Sequence, residues 1–472
     1  MVCGTKCLVR VMEVRVSNQI TIKNPSDNVK QWVKDNLVLD NPEYHKKVRM
    51  GLWVGNTPKK IYLYYTDDNE IIIPYGYKDR ILEETDIKYV FEDFVPHKKL
   101  GYLFYAPLYD WQIVARDEMM KAGYGILQSR AGSGKTRIGL AMAMLYNTKT
   151  LWLTHTIDLL NQSYNATKEF CSESLLGSIK GGEVHLGKAI TFATVQTMSH
   201  LNLYLYKDLF DVIIVDECHR VAVSAMSVTQ FQKVIESLSC RHKFGLSATV
   251  ERADGLIETT FALLGGIKYK VPDEVIQTMQ INILPRLTKD YYHIDKTRFI
   301  KSDGMLNYSS FISYISGQPE RNQLIIDDLK LNKDNYCLVL SERVSQLNTL
   351  KSYLDKDDVV MLTSSSSVKD REYALNQMRL GIRHYLFATY QLAKEGLDIP
   401  NLDRLFLATP TKTHVTVVQS LGRVGRVSPN KDYSIVYDYI DNNGYAIKMW
   451  KDRTKIYREE RCEILNVETN SV

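Results

Sequence analysis

The sequence is poor in cysteine: seven residues (Cys3, Cys7, Cys171, Cys218, Cys240, Cys337, Cys462), an odd number scattered over 472 positions, which excludes a disulfide framework. Only Cys3 and Cys7 lie close together, and no second Cys or His pair at ligand spacing joins them, so free thiols are expected in place of a zinc site. No apolar run is long enough to span a bilayer. The segment Met1 to Lys6 has neither the apolar stretch nor the small-residue cleavage site of a secretory signal, so a reducing, cytoplasmic compartment and no membrane partner are expected. Charge of one sign is not in marked excess: a net +5 suits a polyanionic partner but is common in proteins that never touch one. What is present, 44% apolar and 24% charged residues, is ordinary for a globular chain, and the length allows about three domains.

The first hundred residues mix short β-prone stretches with basic and aromatic clusters and read as a separate small α+β domain. Ile61 to Tyr65, then Asp67 to Asn69, then Ile71 to Ile73 predict a hairpin. Ser26 and Asp27 before Val29, Trp32 and Val33 predict a capped helix start. Pro96 to Lys99 read as a linker. From about residue 105 apolar strands alternate with amphipathic helices, the pattern of parallel α/β layers. One series of strands is expected at Gly125–Gln128, Thr150–Thr154, Ala189–Ala193, Val212–Val215 and Lys243–Ser247. A second is expected at Tyr336–Leu340, Val359–Leu362, His384–Ala388, Arg404–Ala408 and Tyr433–Tyr437. Two α/β lobes in tandem follow, with residues 1–98, 99–275 and 276–472 as the expected domains.

The strand Gly125–Gln128 leads into Ser129, Arg130, Ala131, Gly132, Ser133, Gly134, Lys135 and Thr136, then into a helical run. Strand, glycine loop and helix make a phosphate-binding loop. Gly132 and Gly134 let backbone N–H groups approach phosphate oxygens, Lys135 can reach the β and γ phosphates, and Thr136 can ligate Mg2+. ATP binding and hydrolysis are therefore expected. After Val212–Val215 come Asp216, Glu217, Cys218 and His219, where Asp216 can hold the metal and Glu217 can polarise water. Taken alone, the acidic pair also reads as a solvated strand end. Gln419 to Arg426 place Arg423 and Arg426 at helical spacing on one face, either as cations for the γ-phosphate or as a solvated basic helix start.

In this order the segments resemble superfamily two helicases over nearly everything from Tyr109 to Tyr437. Leu108 to Gln112 look like that family's adenine-reading element, with Gln112 the contact. Thr154 to Gln162 are similar to motif Ia and Thr194 to Thr197 to motif Ic. Ser247, Ala248 and Thr249 match motif III, Cys337 to Arg343 motif IV, Ala388 to Pro400 motif V and Gln419 to Arg426 motif VI. The resemblance implies two RecA-like lobes. It assigns Gly396 and Asp398, beside the phosphate loop, to nucleotide binding, and His219, Ser247, Ala248, Thr249 and Gln419 to coupling. Ser247 to Leu256 is similar to XPB-like repair translocases and UvsW-type phage helicases, which work on DNA. Val250 stands where proline is frequent, and Arg252-Ala253-Asp254 where the XPB-like proteins carry Arg-Glu-Asp.

A nucleic-acid partner, DNA before RNA, is what this resemblance implies, with backbone contacts from Thr154, Gln162, Thr194, Gln196, Ser341, Arg343 and Thr389 and little sequence specificity. Each of these also reads as a helix cap or turn residue. The same engine serves RNA helicases and restriction or defence motors, and ATP can instead switch a clamp that unwinds nothing. His45, Lys46, Lys47, Arg49, Trp53, Lys59, Lys60, Tyr62 and Tyr64 suit nucleic-acid binding, or form a solvated face beside core aromatics. Lys448 to Arg461 is expected as a helix packed on the second lobe.

Overall fold

The strands Val212–Asp216 and Cys337–Ser341 are buried at every residue, as befits parallel sheets covered on both faces by helices. The computed structural model describes residues 12–67, 69–102, 106–130, 132–221, 223, 228–250, 255–275, 279–288, 299–301, 306–394, 397, 399–411, 413–426, 428 and 431–465. Two compact units result: Met1–Arg130 with Gly134–Val275, and Ile276–Val472 with Ala131–Ser133.

Among the described residues, the first unit holds an eight-stranded sheet. Its order is Glu183–His185, Leu176–Lys180, Ile190–Thr194, Thr150–Thr154, Val212–Asp216, His242–Ser247, Gly125–Gln128, Ile267–Lys270. Every neighbour is parallel except the edge strand Glu183–His185. Among the described residues the second unit holds seven parallel strands, ordered Val359–Leu362, Tyr385–Thr389, Cys337–Ser341, Arg404–Leu407, Tyr433–Ile440, Gln280–Leu287, Glu463–Ile464. Two tandem parallel-sheet lobes after an α+β region are what the strand and helix alternation led one to expect. The central strands fall where their apolar runs lie. The unanticipated ones are peripheral or irregular: Ile267–Lys270 alternates weakly at an edge, and Gln280–Leu287 carries Pro285 and Arg286.

Among its described residues the N-terminal region forms a five-stranded sheet, ordered Tyr65–Asp67, Glu70–Pro74, Gln19–Lys23, Glu13–Val16, Phe91–Glu92. Ser26 caps the helix Asp27–Asn36, accepting from the Val29 amide at 3.2 Å, and that helix buries Val29, Trp32 and Val33. The hairpin differs from expectation. Its turn lies between Asp67 and Glu70, but the first apolar run divides: Tyr65–Asp67 pairs with Glu70–Pro74, while Lys60–Tyr62 pairs with Val38–Asp40 in a sheet of its own. Leu63 and Tyr64 separate the two pieces, because Ile61 and Leu63 both turn into the core.

This small sheet shares one apolar core with the first lobe: Ile20, Ile22, Tyr75 and Tyr77 pack in the cluster that also contains Leu263 and Leu264. Gly76 is there because the backbones touch, and a Cβ would strike the Phe261 carbonyl and sit 2.6 Å from the Gly265 nitrogen. Tyr75 Oη donates to the Arg241 carbonyl at 3.0 Å, and Lys268 pairs with Asp79 at 2.6 Å. Lys243, fully buried, donates to the Asn18 carbonyl at 3.0 Å and lies 4.2 Å above the Tyr75 ring.

In the second lobe the helix Gly444–Glu459 packs as expected, burying Ala446, Met449, Arg453, Ile456 and Tyr457. Ser364 to Ser367 form a strand-to-helix turn, in which Ser367 makes a reciprocal cap with Asp370. The described cysteines, Cys171, Cys218, Cys240, Cys337 and Cys462, are free thiols, while Cys3 and Cys7 lie outside the described residues. Among the described residues no helix is long and apolar enough to cross a membrane.

Candidate functional site

The phosphate loop stands between the strand Gly125–Gln128 and the helix Lys135–Tyr146. Gly132 and Gly134 both have φ +80°, a left-handed backbone that glycine adopts without steric cost, and Gly134 is the helix N-cap. A Cβ at Gly134 would lie 2.7 Å from Gln112 Nε2, so that side chain would have to move aside. Gln112 is itself buried and folds its Oε1 back onto the Tyr109 amide at 3.1 Å. The adenine-reading candidate and the loop glycine are thus packed together. Lys135 is buried at the helix start and donates to the Arg130 carbonyl at 3.3 Å, and the Ser129 amide donates to the Ser247 carbonyl at 3.1 Å. Thr136 follows in the first turn, half-buried, while Ala131 lies outside the described residues.

Asp216 ends the strand Val212–Asp216, and its neighbour Glu217 adopts φ +51°, which bends the chain sharply at the strand end. Asp216 Oδ1 accepts from the Glu217 amide at 3.0 Å, and Oδ2 from Ser163 Oγ at 3.4 Å. Burial raises the Asp216 carboxyl well above the usual carboxylate range, the Glu217 charge raises it further, and Lys135 draws it back. Glu217 Oε2 lies 3.3 Å from His219 Nδ1. That same nitrogen is 3.1 Å from Ser247 Oγ, and Ser247 Oγ donates to the Thr249 carbonyl at 2.5 Å. A continuous line of polar contacts therefore runs from the acidic pair to Ser247 and Thr249, with Ala248 half-buried between them.

The candidate nucleic-acid contacts divide by exposure. Thr154, Thr194 and Ser341 are buried, and their hydroxyls are committed internally: Thr154 to the Thr156 carbonyl, Thr194 to Thr197 Oγ1, and Ser341 to Gln346 Oε1. Here all three act as turn and cap residues. Gln196 is exposed and bonds the His155 carbonyl at 2.9 Å, while Gln162 and Thr389 are half-buried. Arg343 spreads its guanidinium over Ser309 and Ser313, with Nε 2.9 Å from Ser313 Oγ.

Arg423 and Arg426 do not share a helix face as their spacing led one to expect. The helix His414–Val424 ends at Gly425, so Arg426 lies beyond it. Arg423 donates to the carbonyls of Ala393 and Leu397 at 2.9 and 3.2 Å, tying that helix to the segment that follows the strand Tyr385–Thr389. Burial, helped by Arg379, pushes the Arg426 guanidinium down to about 10, still cationic at neutral pH. Gln419 is buried in the same helix, and its Oε1 has no hydrogen-bond partner among the described residues. Gly396 and Asp398 lie outside the described residues, as does Arg252-Ala253-Asp254.

Two residues near the acidic pair carry no sequence signal. Ser163 reaches Asp216 from the helix Ile157–Lys168, and nothing in its spacing marks it out from any serine on a helix. His155 has both ring nitrogens buried without a partner among the described residues, and burial, then Arg220, push its imidazole down to about 3, so it is neutral.

Comparison with known proteins gives this geometry a lineage. Residues 106–252 match the family described as type III restriction enzyme, res subunit, and residues 320–428 match the helicase conserved C-terminal domain. The chain is 26% identical over 422 residues to "Putative ATP-dependent RNA helicase L396" of Acanthamoeba polyphaga mimivirus, covering 85% of this chain and 77% of that one. It is 25% identical over 276 residues to the ATP-dependent DNA helicase uvsW of Enterobacteria phage T4, covering 53% of each. In fold it is similar to S. cerevisiae Dbp5 bound to RNA and ADP BeF3, at 13% identity and a TM-score of 0.52, covering 78% of this chain and 94% of that one. With a glycine loop, an acidic strand end and both helicase domains in sequence order, the chain belongs to the superfamily two helicases and is an ATP-dependent enzyme that binds and unwinds nucleic acid.

Proposed function

We propose that this helicase acts on DNA, unwinding or branch-migrating forked or branched duplexes in replication, recombination or repair. The observation that carries the reading is the polar line from Glu217 through His219 and Ser247 to Thr249, a physical route by which the state of the γ-phosphate reaches the rest of the lobe. DNA is favoured over RNA by the run Ser247 to Leu256, which resembles the XPB-like and UvsW-type enzymes, and by the likeness to a protein named as a DNA helicase.

In the proposed cycle Lys135 and the loop amides of Gly132 and Gly134 hold the β and γ phosphates. Glu217 orients and polarises a water for in-line attack on the γ-phosphorus, the bond to the β-γ bridging oxygen breaks, and ADP and phosphate leave. Arg423 and Arg426 supply the positive charge that Lys135 alone leaves incomplete. The donor set fits Mg2+: a buried carboxyl whose charge is disfavoured until a cation arrives, and the Thr136 hydroxyl, both hard oxygens. When bound, the ion neutralises charge on the phosphates. Gln162, Gln196, Arg343 and Thr389 contact the nucleic-acid backbone and position it without reading sequence.

An RNA substrate is the second reading, favoured by the name of the mimivirus relative. Strand displacement on forks, Holliday junctions, displacement loops and the matched RNA duplexes tests the proposal. Faster displacement on branched DNA supports it, and displacement confined to RNA overturns it.

A further inference from the structure

Helix Pro42–Arg49 buries none of its side chains, so it adds nothing to the apolar core that holds the N-terminal sheet. A helix of eight residues without tertiary packing is marginal in water. This one is instead fixed by local bonds. Asn41 caps it, accepting from the Glu43 amide at 3.1 Å, and also donates to the Pro58 carbonyl at 2.8 Å. Lys47 Nζ donates to Thr57 Oγ1 at 2.6 Å, and the Leu52 amide to the Lys47 carbonyl at 2.9 Å. The chain goes to this trouble to present a tip, the turn from Met50 to Gly55, that faces water.

Trp53 stands on that turn with 88% of its surface exposed. Its ring packs close over Gly55 (φ +52°), where an added Cβ would lie 3.1 Å from it. The indole rests on its own turn and leaves most of its surface to water. On the same segment, charges of one sign are left over. Glu43 is taken by Lys47 at 3.0 Å, and Asp40 by Lys60 at 2.9 Å and His45 at 3.4 Å. Lys46, Arg49 and Lys59 are exposed and make no ion pair among the described residues. Lys46 and Arg49 are three apart on the helix and so share a face.

We infer that Trp53 is a stacking platform for an unpaired base, with Lys46, Arg49 and Lys59 holding the flanking phosphates. Every base has a π-face, so an exposed indole on a segment that also carries exposed cations binds single-stranded polynucleotide without reading its sequence. Because the N-terminal sheet and the first lobe share one apolar core, this contact lies in the same compact unit as Lys135 and Glu217. The inference rests on nucleic acid being the enzyme's partner, and it adds a site outside the helicase motifs.

Fluorescence anisotropy of a labelled fork with a single-stranded arm, titrated with the whole chain over a salt series, tests it. Trp53→Ala should weaken binding about tenfold or more, Trp53→Phe should recover most of that loss, and Lys46→Ala/Arg49→Ala/Lys59→Ala should lower the salt slope by roughly two to three. A blunt duplex should show little dependence on residue 53. Thermal melting checks the fold of each variant; if Trp53→Ala does not fold, the phenylalanine variant and the charge triple carry the comparison. Unchanged fork affinity in the folded variants overturns the inference. So does a wild-type preference for anionic vesicles over oligonucleotide that is lost in Trp53→Ala, since the tip would then be a membrane contact. If wild type binds and unwinds the fork while these variants match it, the tip assignment fails and the helicase reading stands.

Discussion

His219 Nδ1 lies 3.1 Å from Ser247 Oγ, whose own proton is donated to the Thr249 carbonyl. A hydroxyl has one proton to give, so the histidine must carry its hydrogen on Nδ1 to complete this bond. Glu217 Oε2 lies 3.3 Å from the same nitrogen, close enough for its charge to act on that N–H. Any change of charge at Glu217 therefore alters how firmly His219 holds Ser247.

Ser247→Ala removes the acceptor while leaving Lys135, Asp216 and Glu217 in place. ATP turnover should stay within about threefold of wild type, whereas strand displacement per ATP should fall about tenfold, the size expected when a buried hydrogen-bond partner is lost. Parallel measurement of phosphate release and displacement on one fork checks this. Equal losses in both would show that Ser247 serves the chemistry and not its coupling.

Gly76→Ala tests the shared core of the N-terminal sheet and first lobe. The new methyl has to displace the Phe261 carbonyl, so the two parts should separate at a cost of about 1–3 kcal/mol. A lower thermal midpoint with new proteolytic cleavage between residues 93 and 109 is the expected outcome. Wild-type stability and protease resistance would mean that the sheet docks less tightly than its contacts indicate.

Lys243 makes the same junction sensitive to pH. Burial pushes its ammonium from the ordinary 10.5 down to about 8. Between these values the unfolded chain binds more protons than the folded one, so this group's contribution to stability rises with pH across that window; below about 8 its full penalty is felt. Lys243→Met lacks that titration. The stability difference between variant and wild type should therefore shift by about 3 kcal/mol in favour of wild type from pH 8 to 10.5, read by urea unfolding at several pH values. A constant difference would contradict the burial of a charged lysine.

How much of this was legible beforehand depended on how local each feature is. The phosphate loop and the central strands announce themselves because one short segment carries both the apolar run and the residues at its end, as Val212–Asp216 does. Gly76 and Lys243 could not be read, since their roles come from segments well over a hundred positions away. The internal bonds of Thr154, Thr194 and Ser341 could not be read for a related reason: each hydroxyl sits at a strand end, and its partner is set by the turn that follows. Arg426 was misplaced because the glycine that ends the helix lies inside the motif. Trp53 looked equally like a core residue until its exposure was known.

In the second lobe Arg453 and Asp438 are buried and joined by two bonds of 2.7 Å, with Tyr457 Oη at 2.7 Å from the same carboxylate. Arg453→Ala would strand that carboxylate in the core and should destabilise the lobe by about 3–5 kcal/mol in denaturant unfolding. Pairing it with Asp438→Leu should recover much of the loss. A single variant as stable as wild type would mean that solvent reaches Asp438.

In the proposed motor, Lys135 and Glu217 form an ATP site driven by nucleic acid. Steady-state phosphate release by wild type, Lys135→Ala and Glu217→Gln, with and without forked DNA, tests it most directly. The account predicts wild-type turnover accelerated by the fork, a fall of about 10²–10⁴-fold in Glu217→Gln, and near-complete loss in Lys135→Ala, with both variants folded. Undiminished turnover in either variant, or a wild-type rate indifferent to every polynucleotide, would contradict it.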